Sequence, residues 1–327
     1  MGLRWPLVRP IPRASLKRRE IVTVVFVVLC CVAAALTLSH WLRDEEKAAP
    51  PRLDLARHLR SHVADFPREG GYRPPTRAER AHLRAGVALV LDGRPEAARK
   101  PLAAVGYTAR TVRLAGTERL VAQVTEERAT RRGWGEAYVD LGAPVWWSAQ
   151  VPHPVSDLRS ERVGAELFRR APGGVLVVAG ARRDAGKGDI ADMAHRNDSA
   201  FDAICTLLTM RRIPGIQLHG FADESAPESD VVISPGAGDA GAVIKEAART
   251  VAGAGFEVCR AWRRDCGALE GTTNTQGEVA ARHAVPFLHV EISHSVRDSA
   301  ADRSRLAAAL AEVAGRLPRH PGRAASG

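Results

Sequence analysis

From about residue 160 onward, short apolar runs and helical patterns take turns, and this alternation constrains the fold more than any other feature. "GVLVVAGA", "GIQLHGF", "SDVVISPG" and "PFLHVEIS" are strand-length and nearly continuous in apolar residues. Between and around them, "ERVGAELFRR", "DSAFDAICTLLTMRR", "AGAVIKEAARTVAGAG" and "RSRLAAALAEVAGRL" carry apolar residues at helical spacing. A strand without polar alternation has to be covered on both faces, and helices between such strands supply the cover. The expectation is α/β: a mixed, largely parallel sheet with helices on both faces.

Upstream the period differs. "YTARTVRLAG", "ERLVAQVTEE", "WGEAYVDLG" and "VWWSAQVPH" have strand lengths and turn residues between them, which predicts an antiparallel portion leading into the parallel one. Residues 53–105 read as helical, with "PTRAERAHLRAGVALVLDGRPEAARKPLAAVGY" forming two helices broken at "DGRP". The α/β region is expected to run over 106–318, ending in a frayed tail, 319–327.

The chain has 327 residues and a formal net charge of +10. About half of that excess lies in residues 1–44, where Arg4, Arg9, Arg13, Lys17, Arg18, Arg19 and Arg43 face two acids. The rest is spread thinly, without a basic run interleaved with aromatics, and a nucleic-acid partner is not expected. The local charge has another explanation. Ile21–Ser39 is uncharged and about as long as the ~20 residues needed to cross a bilayer as a helix. With basic residues before it and Trp41 after it, the run reads as a transmembrane signal anchor over 21–39. It has a cytoplasmic basic tail at 1–20 and a linker at 40–52. A cleaved signal peptide is the rival. On either reading, the bulk of the chain is expected outside the cell. Cys259 and Cys266 bracket "RAWRRD" and are placed either to close a small disulfide loop there or to pack unpaired.

Polar residues gather where the predicted strands end, which is where open α/β sheets bind ligands. His153 follows "VWWSAQVP", with Asp157 and Glu161 next; Arg182 and Arg183 follow "VLVVAGA"; His219 ends "GIQLH"; Glu291 comes late in "PFLHVEIS". Two imidazoles and a carboxylate are the kind of set that holds a catalytic zinc, with a further carboxylate to move protons. Plainer readings exist for each. His153 between prolines suits a turn, Asp157 a helix cap, Glu161 a first-turn acid, and Glu291 a buried ion pair.

The order "PHPVSD…E", "LHG", "VEIS" resembles the zinc-dependent exopeptidase and amidohydrolase superfamily. That group includes metallocarboxypeptidases, aspartoacylase-like deacylases, N-formylglutamate amidohydrolases, poly-gamma-glutamate hydrolases and N-acetylmuramoyl-L-alanine amidases. The resemblance covers about residues 145–316. It implies a Zn²⁺ held by His153, a nearby carboxylate and His219, with Glu291 as general base. The carboxypeptidase HxxE is missing, since Ser156 stands three after His153; Asp157 is preferred as the middle ligand, with Glu161 the alternative. Arg182, Asp192, His195, Arg196 and Asn274 are the expected substrate contacts. The implied activity is hydrolysis of an amide or peptide-like bond in a small acyl-amino acid or a cell-wall peptide. A surface-displayed binding module that keeps the fold without the chemistry is the alternative.

Overall fold

The apolar runs become the middle of one ten-stranded mixed sheet. A computed structural model describes residues 49–319, except 68, 129 and 130, together with Val27 and Cys30 to Val32. Contacts divide the chain into two units, Met1–Ala49 and Pro50–Gly327, and the sheet with its helices belongs to the second. The expected anchor over 21–39 lies outside the described residues except at those four positions. Among the described residues no helix is long and apolar enough to cross a membrane.

The strands are β1 (Arg52–Leu53), β2 (Tyr107–Leu114), β3 (Leu120–Glu126), β4 (Glu136–Asp140), β5 (Trp147–Val151), β6 (Gly174–Val178), β7 (Gly215–Phe221), β8 (Val231–Ser234), β9 (Val258–Arg260) and β10 (Phe287–Ser293). Their order across the sheet is β1-β2-β3-β4-β6-β5-β7-β10-β8-β9. Strands β6, β5, β7 and β10 run parallel, so their carboxyl ends share one edge. β2, β3, β4 and β6 pair antiparallel, as the turn-separated runs predict.

Two strands differ from expectation. "VWWSAQVPH" does not extend the antiparallel portion: β5 lies between β6 and β7, parallel to both and buried at all five positions. The helix after it carries the chain back to the starting edge, and a crossover of that kind makes the next strand parallel. β8, in contrast, runs antiparallel to β10. Only a short link with one 3₁₀ turn, Asp223–Ser225, separates β7 from β8, so the chain never returns before β8 begins.

Nine helices are described: α1 (Leu55–Ala64), α2 (Arg77–Leu91), α3 (Pro95–Ala103), α4 (Ser160–Arg170), α5 (Ala200–Met210), α6 (Ala242–Gly253), α7 (Thr275–Arg282), α8 (His294–Asp298) and α9 (Ala300–Arg316). Their starts follow local chemistry. Thr76 and Glu79 form a reciprocal capping box on α2, and Ser199, Asn274 and Ser299 cap α5, α7 and α9. On one face of the sheet Leu55, Leu59, Val163, Leu218, Val251, Val290 and Leu310 share a core; on the other Leu83, Val87, Leu102, Val177, Phe201 and Leu208 share a second. Helices α1 and α2 therefore bury their apolar residues on opposite faces of the sheet.

Candidate metal centre

Strand alternation decides which side chains meet. In β7, Ile216 and Leu218 enter one core, which turns Gln217 and His219 to the other face. Parallel pairing sets His289 beside Gln217 and Glu291 beside His219, so four polar side chains share that face near the strand ends. One strand over, β5 ends at Val151 and runs into the tight turn His153 to Asp157, closed by Asp157 N–H donating to the His153 carbonyl at 2.8 Å.

This turn carries two of the expected ligands to the third. His153 Nδ1 lies 3.6 Å, and His219 Nδ1 3.4 Å, from Asp157 Oδ2. The rings are 5.3 Å apart, and ligand atoms of all three residues lie within 4.8 Å of one another. None of the three is more than 6% exposed.

The hydrogen bonds fix the protons. His153 Nε2 is 2.8 Å from Asp192 Oδ1, an acceptor, so the ring hydrogen sits there and Nδ1 keeps its lone pair. His219 Nε2 is 2.8 Å from Gln217 Oε1. The Gln217 amide cannot be reversed, because its Nε2 donates to Gln150 Oε1 and Gln276 Oε1, each at 3.1 Å. Two lone pairs thus point at a carboxylate oxygen that has no hydrogen-bond partner of its own. Three buried acceptors facing one another are repulsive unless something positive lies between them. The donor set, two imidazoles and one carboxylate with partners orienting the rings, fits a divalent cation such as zinc. Without a cation the cluster draws in a proton. Burial opposes a charged His153, but the neighbouring carboxylates of Asp157 and Asp192 outweigh it and raise its pKa, whereas burial lowers that of His219.

Glu291 adjoins the cluster, with Oε2 buried and unpaired. Burial, and then the neighbouring Asp157 charge, push its pKa up to about 8. A cation beside Asp157 would pull it back down into the range of a working base. The His289 ring lies tilted against that of His219 with centroids 4.6 Å apart, and His219, His289 and Glu291 form a second group of close ligand atoms. Gly271 covers His289 so tightly that a Cβ there would sit 2.4 Å from Nε2.

The remaining candidates disperse. Glu161 is buried in the first turn of α4, next to Arg162, and belongs to neither group of close ligand atoms. Arg182 pairs with Asp184, and Arg196 donates two hydrogen bonds to Asp198. Asn274 is 1% exposed; it caps α7 and donates to Gln217 Oε1 at 2.5 Å, so it braces the site from within. Asp192 is also buried, gripping His153 and receiving Arg183 Nη2 at 2.8 Å and His195 Nδ1 at 3.1 Å. Arg183 and His195, whose side chains are 50% and 43% exposed, form the open rim. Gln150 and Gln217 escaped sequence reasoning, although a glutamine two before His219 in an apolar strand was the visible signal. Cys259 and Cys266 form a disulfide. A cavity of about 340 Å³ lies elsewhere, lined by His58, His62 and Glu136 among others.

No protein-family model and no curated protein matches the chain. Similar solved structures include a proposed carboxypeptidase A from Shewanella denitrificans, at 10% identity and TM-score 0.37 over 69% of this chain and 70% of that one. A proposed metallopeptidase from Shewanella baltica has 12% identity and TM-score 0.33, over 72% of this chain and 94% of that one. A gene product from Agrobacterium tumefaciens has 14% identity and TM-score 0.37, over 53% and 88%. Likeness this distant leaves the chemistry to be read from the cluster itself.

Proposed function

We propose that the chain is a zinc-dependent hydrolase of an amide or peptide-like bond, held by an N-terminal membrane anchor and acting outside the cell. The observation that carries the hydrolase reading is the meeting of His153 Nδ1, His219 Nδ1 and the unpartnered Asp157 Oδ2 in one buried cluster. Zinc held by these three would polarise a scissile carbonyl and lower the pKa of water, so that it gives up a proton readily and becomes the nucleophile. Glu291, on the strand beside His219, takes the water proton and passes it to the leaving amine. Asp192 holds the His153 ring in the tautomer that leaves Nδ1 free. Arg183, half-exposed on the rim, meets a substrate carboxylate or the developing oxyanion. These roles suit an acyl-amino acid or a peptidoglycan peptide. The Cys259–Cys266 disulfide supports an oxidising compartment, and the basic residues before the uncharged run support the anchor.

The test is metal analysis of the purified full-length chain, followed by assays on N-acyl amino acids and cell-wall peptides. About one zinc per chain is expected, lost in His219→Ala. Glu291→Gln should keep the metal and lose at least about 10²-fold in turnover. A wild-type chain without metal near neutral pH sinks the proposal. The near-complete burial of all three ligands favours a second reading, a binding module without turnover; zinc bound in full with no substrate cleaved would select it.

A further inference from the structure

Behind the cluster lies a buried arginine that neither the metal nor the proton transfer uses. Arg297, in the short helix α8, is only 4% exposed. Its guanidinium donates to three backbone carbonyls: Nη1 to Leu158 at 2.7 Å, Nη2 to Phe221 at 2.8 Å, and Nε to Ile292 at 2.9 Å. Leu158 directly follows Asp157, Phe221 lies two past His219, and Ile292 directly follows Glu291. One side chain thus joins the turn bearing two ligands to the strands bearing the third ligand and the base.

Three further observations show that the arrangement is built. Gly220 leaves room for the guanidinium, since a Cβ there would sit 2.3 Å from Nε and 2.4 Å from Cζ. Arg159, next after Leu158, is held at a left-handed φ of 70°, a strained conformation for a residue with a side chain. Asp298, the acid adjoining Arg297, pairs with Arg159 and straps the same turn from outside. Burying a guanidinium against carbonyls is costly unless its flat fork is filled, which lysine could not do.

We propose that Arg297 is a positioning residue that clamps the His153–Asp157 turn to the ends of β7 and β10, setting the spacing at which His153, Asp157 and His219 take a cation. The inference rests on the metal reading above. It is tested in the full-length chain by zinc affinity, from competition with a chelator, at a temperature where circular dichroism shows the metal-free protein folded. Arg297→Gln should weaken zinc binding by about 10- to 100-fold, and Arg297→Lys should recover only part of the loss. Gly220→Ala, which keeps the arginine but crowds it, should weaken zinc binding in the same direction and serves if Arg297→Gln does not fold. A purely structural arginine would lower the melting temperature while leaving zinc affinity in the folded protein unchanged. Unchanged affinity in the folded variants, with a wild type that binds zinc, overturns the clamp alone. A wild type that binds no zinc overturns the clamp together with the metal reading.

Discussion

Glu291 keeps its Oε2 buried and unpaired, and burial, then the neighbouring Asp157 charge, raises its pKa from the ordinary 4.5 to about 8. In the metal-free protein the folded state therefore holds a proton that the unfolded state has released across that window. Stability from this group is complete below 4.5 and is lost as pH rises through about 8. Glu291→Gln cannot ionise, so above pH 8 the metal-free variant should be more stable than wild type by about 1–3 kcal/mol. The difference should close toward pH 5, and denaturant titrations at both ends of the range check it. Saturating zinc should shrink the difference, because a cation favours the ionised carboxylate. Gly271 is a second single-residue test. Alanine there meets His289 at 2.4 Å and has to hold a φ of 61°, at a cost of about 1–3 kcal/mol in denaturation midpoint measurements.

At the scale of elements, β7 and β10 do two jobs with one period. Ile216, Leu218, Leu288, Val290 and Ile292 fill a core, while Gln217, His219, His289 and Glu291 build the site on the other face. His219 and Glu291 stood out in the sequence against apolar neighbours, whereas Gln217 did not. Asp192 and Asn274 were expected as substrate contacts, not as partners of these residues, because they and Gln276 come from loops and a helix distant in sequence, and only folding brings them to the strands. The segment covering His289 is itself tied down: Cys266 N–H donates to Glu270, and the disulfide ties Cys266 to β9. Replacing both Cys259 and Cys266 by serine should cost about 2 kcal/mol, the value for closing so short a loop, read as a lower denaturation midpoint.

At the scale of the whole molecule, residues 53–105 read as a helical region ahead of the α/β part, yet Leu59, Leu83, Val87 and Leu102 are fully buried against it. A chain begun at residue 106 would expose both cores. It is expected to aggregate and show no cooperative melting transition, whereas a chain begun at residue 50 should melt cooperatively and bind zinc as the full chain does. Calorimetry with metal analysis distinguishes the two outcomes. A cooperative transition in the shorter chain would show that the helical region is dispensable.

Local pattern alone determined the α/β class, most strands and helix starts, and the polar residues at the strand ends. Each follows from periodicity or from bonds within a few residues along the chain. Tertiary structure decided that β5 sits in the parallel centre and that Asp157 rather than Glu161 stands between His153 and His219. It also decided that Arg183 and His195 form the rim while Arg182 and Arg196 turn to their own acids. The physical reason is common to all three. A side chain's partner across space depends on crossover length and strand order, which no short window of sequence contains.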